Sequence, residues 1–172
     1  MTLSAAQRYA LIAQIVHDYN EVFGRPAGKK ALQKLFYVLQ RRLSEAKNYA
    51  FSFYNYGVYS HDLARDVSEA ERYGFLDIDY DDVSNAYSIR PSSDFDENRR
   101  FVPSFYKEKI LNDVLVRSAK DLELITTIMF VCEEEKISNK EDIIKRVLEL
   151  KPKFKEREVS ECLLPAYCSC AA

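Results

Sequence analysis

Between Gly28 and Gly74 the chain reads GKKALQKLFYVLQRRLSEAKNYAFSFYNYGVYSHDLARDVSEAERYG, two helical patterns on either side of an aromatic turn. Leu32, Leu35, Phe36, Leu39 and Leu43 recur at steps of three and four, the apolar stripe of a helix packed on a core. Lys29, Lys30, Lys34, Arg41 and Arg42 fall largely outside that stripe, so this helix is expected to be oily on one side and cationic on the other. The stretch from Phe51 to Tyr59 is too aromatic for a linker, and the alternation of Phe51 and Phe53 predicts a short strand ending in a turn at Gly57. Ser60 has the character of an N-cap, with Asp62 in the first turn, where a carboxylate suits the helix dipole. Leu63, Val67 and Ala70 give this second helix a buried side, and Gly74 stops it.

Upstream, Ser4 caps a predicted helix running to about Phe23, with Tyr9, Ile12, Ile15, Val16, Tyr19 and Val22 on its apolar face and His17 beside it. Downstream of Gly74 the apolar period falls to two. Phe75 or Leu76, Ile78 and Tyr80 alternate with Asp77 and Asp79, and Tyr87 and Ile89 repeat the pattern after the turn-forming DDVSN. A hairpin over roughly Leu76 to Arg90 follows. Three helices and then a hairpin is the order of a winged-helix unit, which fixes shape and not function. Pro91 to Pro103 is polar and turn-rich, the natural boundary between subregions. Beyond it the patterns predict helices over Phe105 to Val116, over the very apolar Asp121 to Glu135, from a Ser138 and Glu141 capping box to Leu150, and over Phe154 to Leu164. The expected fold is mainly α (α+β): a single domain over 1–172, with a winged-helix-like front half over 1–90 and a helical C-terminal half over 104–164.

A chain of 172 residues suffices for one compact core, and its formal net charge of -2 gives no global reason to expect nucleic acid or membrane. The charge is unevenly spread: Arg25 to Lys47 is basic, while Asp62 to Glu97 is acidic and includes Asp77, Asp79, Asp81, Asp82, Asp94, Asp96 and Glu97. No apolar run is long enough to cross a bilayer, and Met1 to Phe23 lacks the apolar core of a signal peptide, so a cytoplasmic protein without a membrane partner is expected. Cys132 reads as a small core residue. Cys162, Cys168 and Cys170 lack the second ligand pair of a zinc site, so neither metal nor cofactor is assigned.

His61, Asp62 and Asp66 are compatible with an imidazole and carboxylate cluster, but a helix N-terminus is the better account of Ser60, His61 and Asp62. With no phosphate loop, no nucleophile elbow and no second convergent element, no catalytic residue is assigned and the chain is read as non-enzymatic.

KALQKLFYVLQ followed by YNYGVYSHDLARDVSEAERYGFLDI resembles the YwgA-type proteins of bacteria and archaea and, more distantly, the Panacea domain of SocA-type antitoxins. Leu32, Lys34, Leu35 and Tyr37 carry the helix motif, and Tyr56, Gly57, Tyr59 and Ser60 carry the turn, with Val58 where the pattern has proline. The resemblance spans about Ala27 to Ile78. It implies a largely helical, antitoxin-like accessory module without catalytic residues.

The leading expectation is therefore a protein-interaction module whose partner, a toxin in the antitoxin setting, meets Tyr54, Tyr56, Tyr59, Asp79, Asp81 and Asp82. A homodimer is compatible with this. The alternative is a winged-helix regulator that contacts DNA phosphates through Lys29, Lys30, Lys34, Arg41 and Arg42. Against it, the hairpin and the helix before it carry Asp62, Asp66, Glu69, Asp77, Asp79, Asp81 and Asp82, which would repel a polyanion docked in the usual winged-helix pose.

Overall fold

The computed structural model describes residues 3–106, 111, 115 and 117–163. It is mainly helical, with two small antiparallel hairpins. The elements run α1 (Ala5–Phe23), α2 (Lys29–Arg42), β1 (Ser52–Tyr54), β2 (Gly57–Tyr59), α3 (His61–Arg72), β3 (Leu76–Asp81), β4 (Ala86–Pro91), the short α4 (Phe95–Asn98), α5 (Ala119–Glu133), α6 (Lys140–Leu150) and α7 (Glu156–Cys162).

Helix α1 starts on a capping box in which Ser4 and Gln7 satisfy each other's backbone donors, and it ends on Gly24 at φ 60°. Its predicted face is buried except for Val22, which is exposed while Phe23 takes the core contact of the last turn. Helix α2 differs more from expectation. Every residue from Ala31 to Gln40 is buried, so it is a central helix and not a half-wet one. Lys34 lies inside with the leucines.

Two glutamines explain how polar residues sit there. Gln33 accepts from the Ser60 backbone N–H at 2.8 Å and donates to the Ser60 carbonyl at 3.1 Å. Two turns on, Gln40 accepts from Tyr49 N–H at 2.9 Å and Asn48 N–H at 3.1 Å and donates to the Tyr49 carbonyl at 2.9 Å. Each side-chain amide thus pairs with backbone that α2 would otherwise leave buried and unsatisfied. Together they clamp both ends of the aromatic segment against one helix.

That segment holds two strands where the alternation suggested one. Ser52 pairs with Tyr59, Phe53 with Val58 and Tyr54 with Gly57. Gly57 adopts φ 96°, the left-handed position that closes such a short loop. Ser60 then caps α3 as expected, accepting from Leu63 N–H. Asp66, expected among the repulsive surface acids, is buried instead. Its carboxylate takes a 2.6 Å bond from Arg8 and a 2.9 Å bond from the Tyr49 hydroxyl, joining α1, α3 and the loop. Burial and the Asp66 charge push the Tyr49 phenol far up.

The second hairpin has the expected strands, from Leu76 paired with Pro91 to Asp81 paired with Ala86. Pro91 to Pro103, expected as a boundary, is structured. Phe95 in α4 and Phe101 in the following turn pack on the front core, which pins the segment down. The helix expected over Phe105 to Val116 falls mainly outside the described residues.

Helix α5 is apolar on two sides. Leu122, Ile125 and Met129 join the front core, while Leu124, Ile128 and Val131 join a second core with Ile143 and Val147 of α6, Phe154 and Val159. It is therefore a shared wall between the two halves. Cys132 is buried in the second core and is disulfide-bonded, beyond the space-filling role its position suggested. Helix α6 is capped by Asn139, not Ser138, since the Asn139 side-chain oxygen Oδ1 accepts from the N–H groups of both Glu141 and Asp142.

Replacing Gln40 by methionine keeps the volume but takes the side-chain partner from the buried N–H and carbonyl of Tyr49, while Asn48 N–H keeps its 2.8 Å bond to the Ala46 carbonyl. A loss of about 2 kcal/mol or more is expected in urea unfolding, with faster hydrogen exchange at the amide of Tyr49.

Candidate functional site

At the start of α2 the two hairpins converge on one pair of lysines. The Lys29 ammonium lies 3.5 Å from the ring centre of Tyr87 on β4, and the Lys30 ammonium lies 3.9 Å from that of Tyr56 at the tip of the first hairpin. Beside them Tyr54 stands edge-on to Tyr59 at 5.9 Å, and His61 stacks edge-on to Tyr59 at 5.0 Å. The ribbon continues the aromatic surface, with Tyr80 and Tyr87 paired across the strands at 4.8 Å. Tyr54, Tyr56, Tyr80 and Tyr87 are all exposed, Tyr56 at 69%. The result is a face of phenol rings and ammonium groups. Each lysine is held by the ring it covers, an arrangement worth about 0.5–1 kcal/mol at an exposed site.

The pleat decides where the aspartates go. Ile78 and Tyr80 share one side of the ribbon with Tyr87 and Ile89, and Ile89 is fully buried. Asp77, Asp79 and Asp81 therefore project from the other side. Asp79 pairs with Arg90 at 2.8 Å. Asp81 accepts from Val83 N–H and the Ser84 hydroxyl, closing the turn, and these bonds hold its carboxyl below the usual range. Asp82 is exposed in that turn. The six residues expected to bind a partner thus divide into a tyrosine set beside α2 and an aspartate set facing away from it.

The five cations of α2 are dispersed as well. Lys29 and Lys30 are exposed on the aromatic face. Arg41, at the opposite end, forms ion pairs with Glu133 and Glu134 of the α5 terminus and lies over Tyr37. Arg42 is half-buried in the last turn. Lys34, expected as a phosphate contact, is only 4% exposed and is withdrawn from that set. Its ammonium donates to the Lys30 carbonyl at 3.2 Å. Burial pulls its pKa down from 10.5 to about 8; Glu123 opposes this, and Lys151, Lys30 and Lys153 add to it. Glu123 accepts from Lys151 at 3.0 Å and Lys153 at 2.6 Å. Burial pushes the Glu123 carboxyl up, but those two bonds outweigh it and bring its pKa down. Lys151 also donates to the Asn55 carbonyl at 2.6 Å, fastening the back half to the first hairpin.

No catalytic grouping forms from the residues weighed for one. Asp66 points to Arg8 and Tyr49, Asp62 pairs with Arg65 at 3.0 Å, and His61 faces Tyr54 and Tyr59. His17 stacks on Phe95 at 4.6 Å. Among the described residues no three His, Cys, Asp or Glu side chains are grouped to hold a metal ion, and no helix is long and apolar enough to cross a membrane. Sequence spacing did not single out Tyr80 or Tyr87 as parts of a site. Alternation placed both tyrosines in the ribbon, but their meeting with Lys29 depends on how the ribbon folds back onto α2. No family model matches this chain, and no curated protein matches it at a significant level.

Lys34 has a measurable signature. From about pH 8 to about 10.5 the unfolded chain holds a proton that the folded chain releases, so stability rises with pH across that window and the full cost of burying the charge is present below it. Lys34→Met is expected to add about 2 kcal/mol at neutral pH and to flatten that rise, as read by urea unfolding at stepped pH.

Proposed function

We propose that this chain is a non-enzymatic, antitoxin-like protein-interaction module that acts in the cytoplasm and binds its partner through the tyrosine and lysine face at the start of α2. The observation that carries this reading is the convergence of exposed Tyr54, Tyr56 and Tyr87 with Lys29 and Lys30 from three separate elements. Aromatic side chains that are already ordered lose little entropy on binding and supply large contact area, the character of interface hot spots. The resemblance of the Ala27 to Ile78 segment to antitoxin-type modules supplies the functional class, with a toxin as the natural partner.

A winged-helix-like arrangement of α1, α2, α3 and the β3–β4 ribbon fits the element order, with the β1–β2 hairpin inserted before α3. For DNA binding in the usual pose, α3 would enter the groove. Its exposed residues His61, Asp62, Arg65, Ser68, Glu71 and Arg72 balance in charge, and Asp62 and Arg65 already pair. Such a helix adds little phosphate affinity, and α2 no longer supplies a row of cations. The protein-interaction reading is the stronger of the two.

The test is affinity capture of cross-linked partners from the native host with the wild-type chain and with Tyr54→Ala/Tyr56→Ala. Recovery of the specific partner is expected to fall by about tenfold or more in the double variant while circular dichroism stays unchanged. Equal recovery by both chains would refute the assignment of this face.

A further inference from the structure

Between α2 and α3, next to Lys29, the surface opens into a cavity of about 140 Å³ lined by Leu32, Gln33, Tyr59, Ala64, Val67, Ser68 and Lys29 itself. Leu32, Ala64 and Val67 supply its aliphatic wall, with the Tyr59 side chain completing the apolar lining. Gln33 commits its amide to Ser60, and the Ser68 hydroxyl donates to the Ala64 carbonyl at 3.3 Å. The other polar residues of the lining are Tyr59 and Lys29, whose ammonium lies 3.5 Å from the Tyr87 ring centre, and no carboxylate lines the cavity. Lys30 follows on the exposed start of the helix, whose first turn carries no acidic residue.

Size and charge together select the occupant. Cofactor and drug-sized ligands need roughly 300–1,000 Å³, so this cavity is too small for them and suits one apolar side chain. Lys29 in the lining and Lys30 beside it on the exposed start of the helix favour carboxylates flanking that side chain. Exposed rings beside two lysines are also what single-stranded nucleic acid binds; the aliphatic wall of Leu32, Ala64 and Val67 is what favours an apolar side chain over a base.

We propose that the cavity receives one leucine- or phenylalanine-sized anchor from an acidic linear segment of the partner protein, with neighbouring carboxylates paired to Lys29 and Lys30. This rests on the protein-interaction reading and specifies the chemistry of the partner. The geometry is that of a short motif read by one hydrophobic pocket and a charged rim.

The experiment selects a phage-displayed random peptide library on the purified chain and measures a labelled consensus peptide by fluorescence anisotropy. Enriched peptides are expected to carry Leu, Ile or Phe beside Asp or Glu. Their affinity is expected to fall about tenfold or more in Lys29→Glu/Lys30→Glu, which leaves the helix start intact because acids suit it, and in Ala64→Trp, which fills the cavity. Added salt weakens binding in the wild type. Enriched peptides without acids, binding indifferent to both variants, or competition by an oligothymidylate that itself requires Lys29 and Lys30 would each overturn the proposal. If partner capture still depends on Tyr54 and Tyr56 in that case, only the acidic-anchor model fails; if capture also fails, the interaction reading falls with it.

Discussion

The whole front half depends on α2 being buried around its full circumference. A helix in that position cannot turn its polar residues to water, so each must find a partner within the protein. Gln33 and Gln40 do so by pairing with backbone on either side of the aromatic hairpin. The same two contacts that make the interior tolerable also fix the path from Asn48 to Ser60. Tyr54, Tyr56 and Tyr59 are presented from a loop whose two ends are tied to one rigid rod.

Charge is handled by the same logic. Arg8 and Asp66 join α1 to α3 with Tyr49 completing the group, and Lys151 joins the α6 end to Glu123 and to the hairpin carbonyl of Asn55. Lys34 is the exception, a buried ammonium whose hydrogen bond goes to a neutral carbonyl and whose nearby carboxylate, Glu123, is already engaged by Lys151 and Lys153. Its depressed pKa records a cost that hydrophobic packing of α2 has to offset. The exposed acids of the ribbon have a plainer role. Charges along the open edge of β3 discourage pairing with another strand, and Asp79 and Asp81 also bond within their own hairpin.

Much of the architecture was legible in local pattern. The caps at Ser4 and Ser60, the left-handed stops at Gly24 and Gly74, the change of period after Gly74 and the two-sided apolarity of α5 all depend on neighbours within a turn or two. Local chemistry settled them before any long-range contact was known. Less was legible of the candidate site. Tyr54, Tyr56, Lys29 and Lys30 could be picked out by type, but Lys34 could not be distinguished from them, because a helical wheel shows which residues share a face and not how many other elements cover it.

What the residues fixed by themselves was the order of the helices, the hairpin after Gly74 and which side of its strands is apolar, since those follow from side-chain period and turn chemistry. Only tertiary packing decided that α2 would be enclosed, that Asp66 and Lys34 would leave the surface, and that Tyr87 would meet Lys29 while the neighbouring aspartates turned away. The physical reason is that burial and charge pairing are properties of elements in contact. A residue's exposure is set by what folds over it, often from far along the chain.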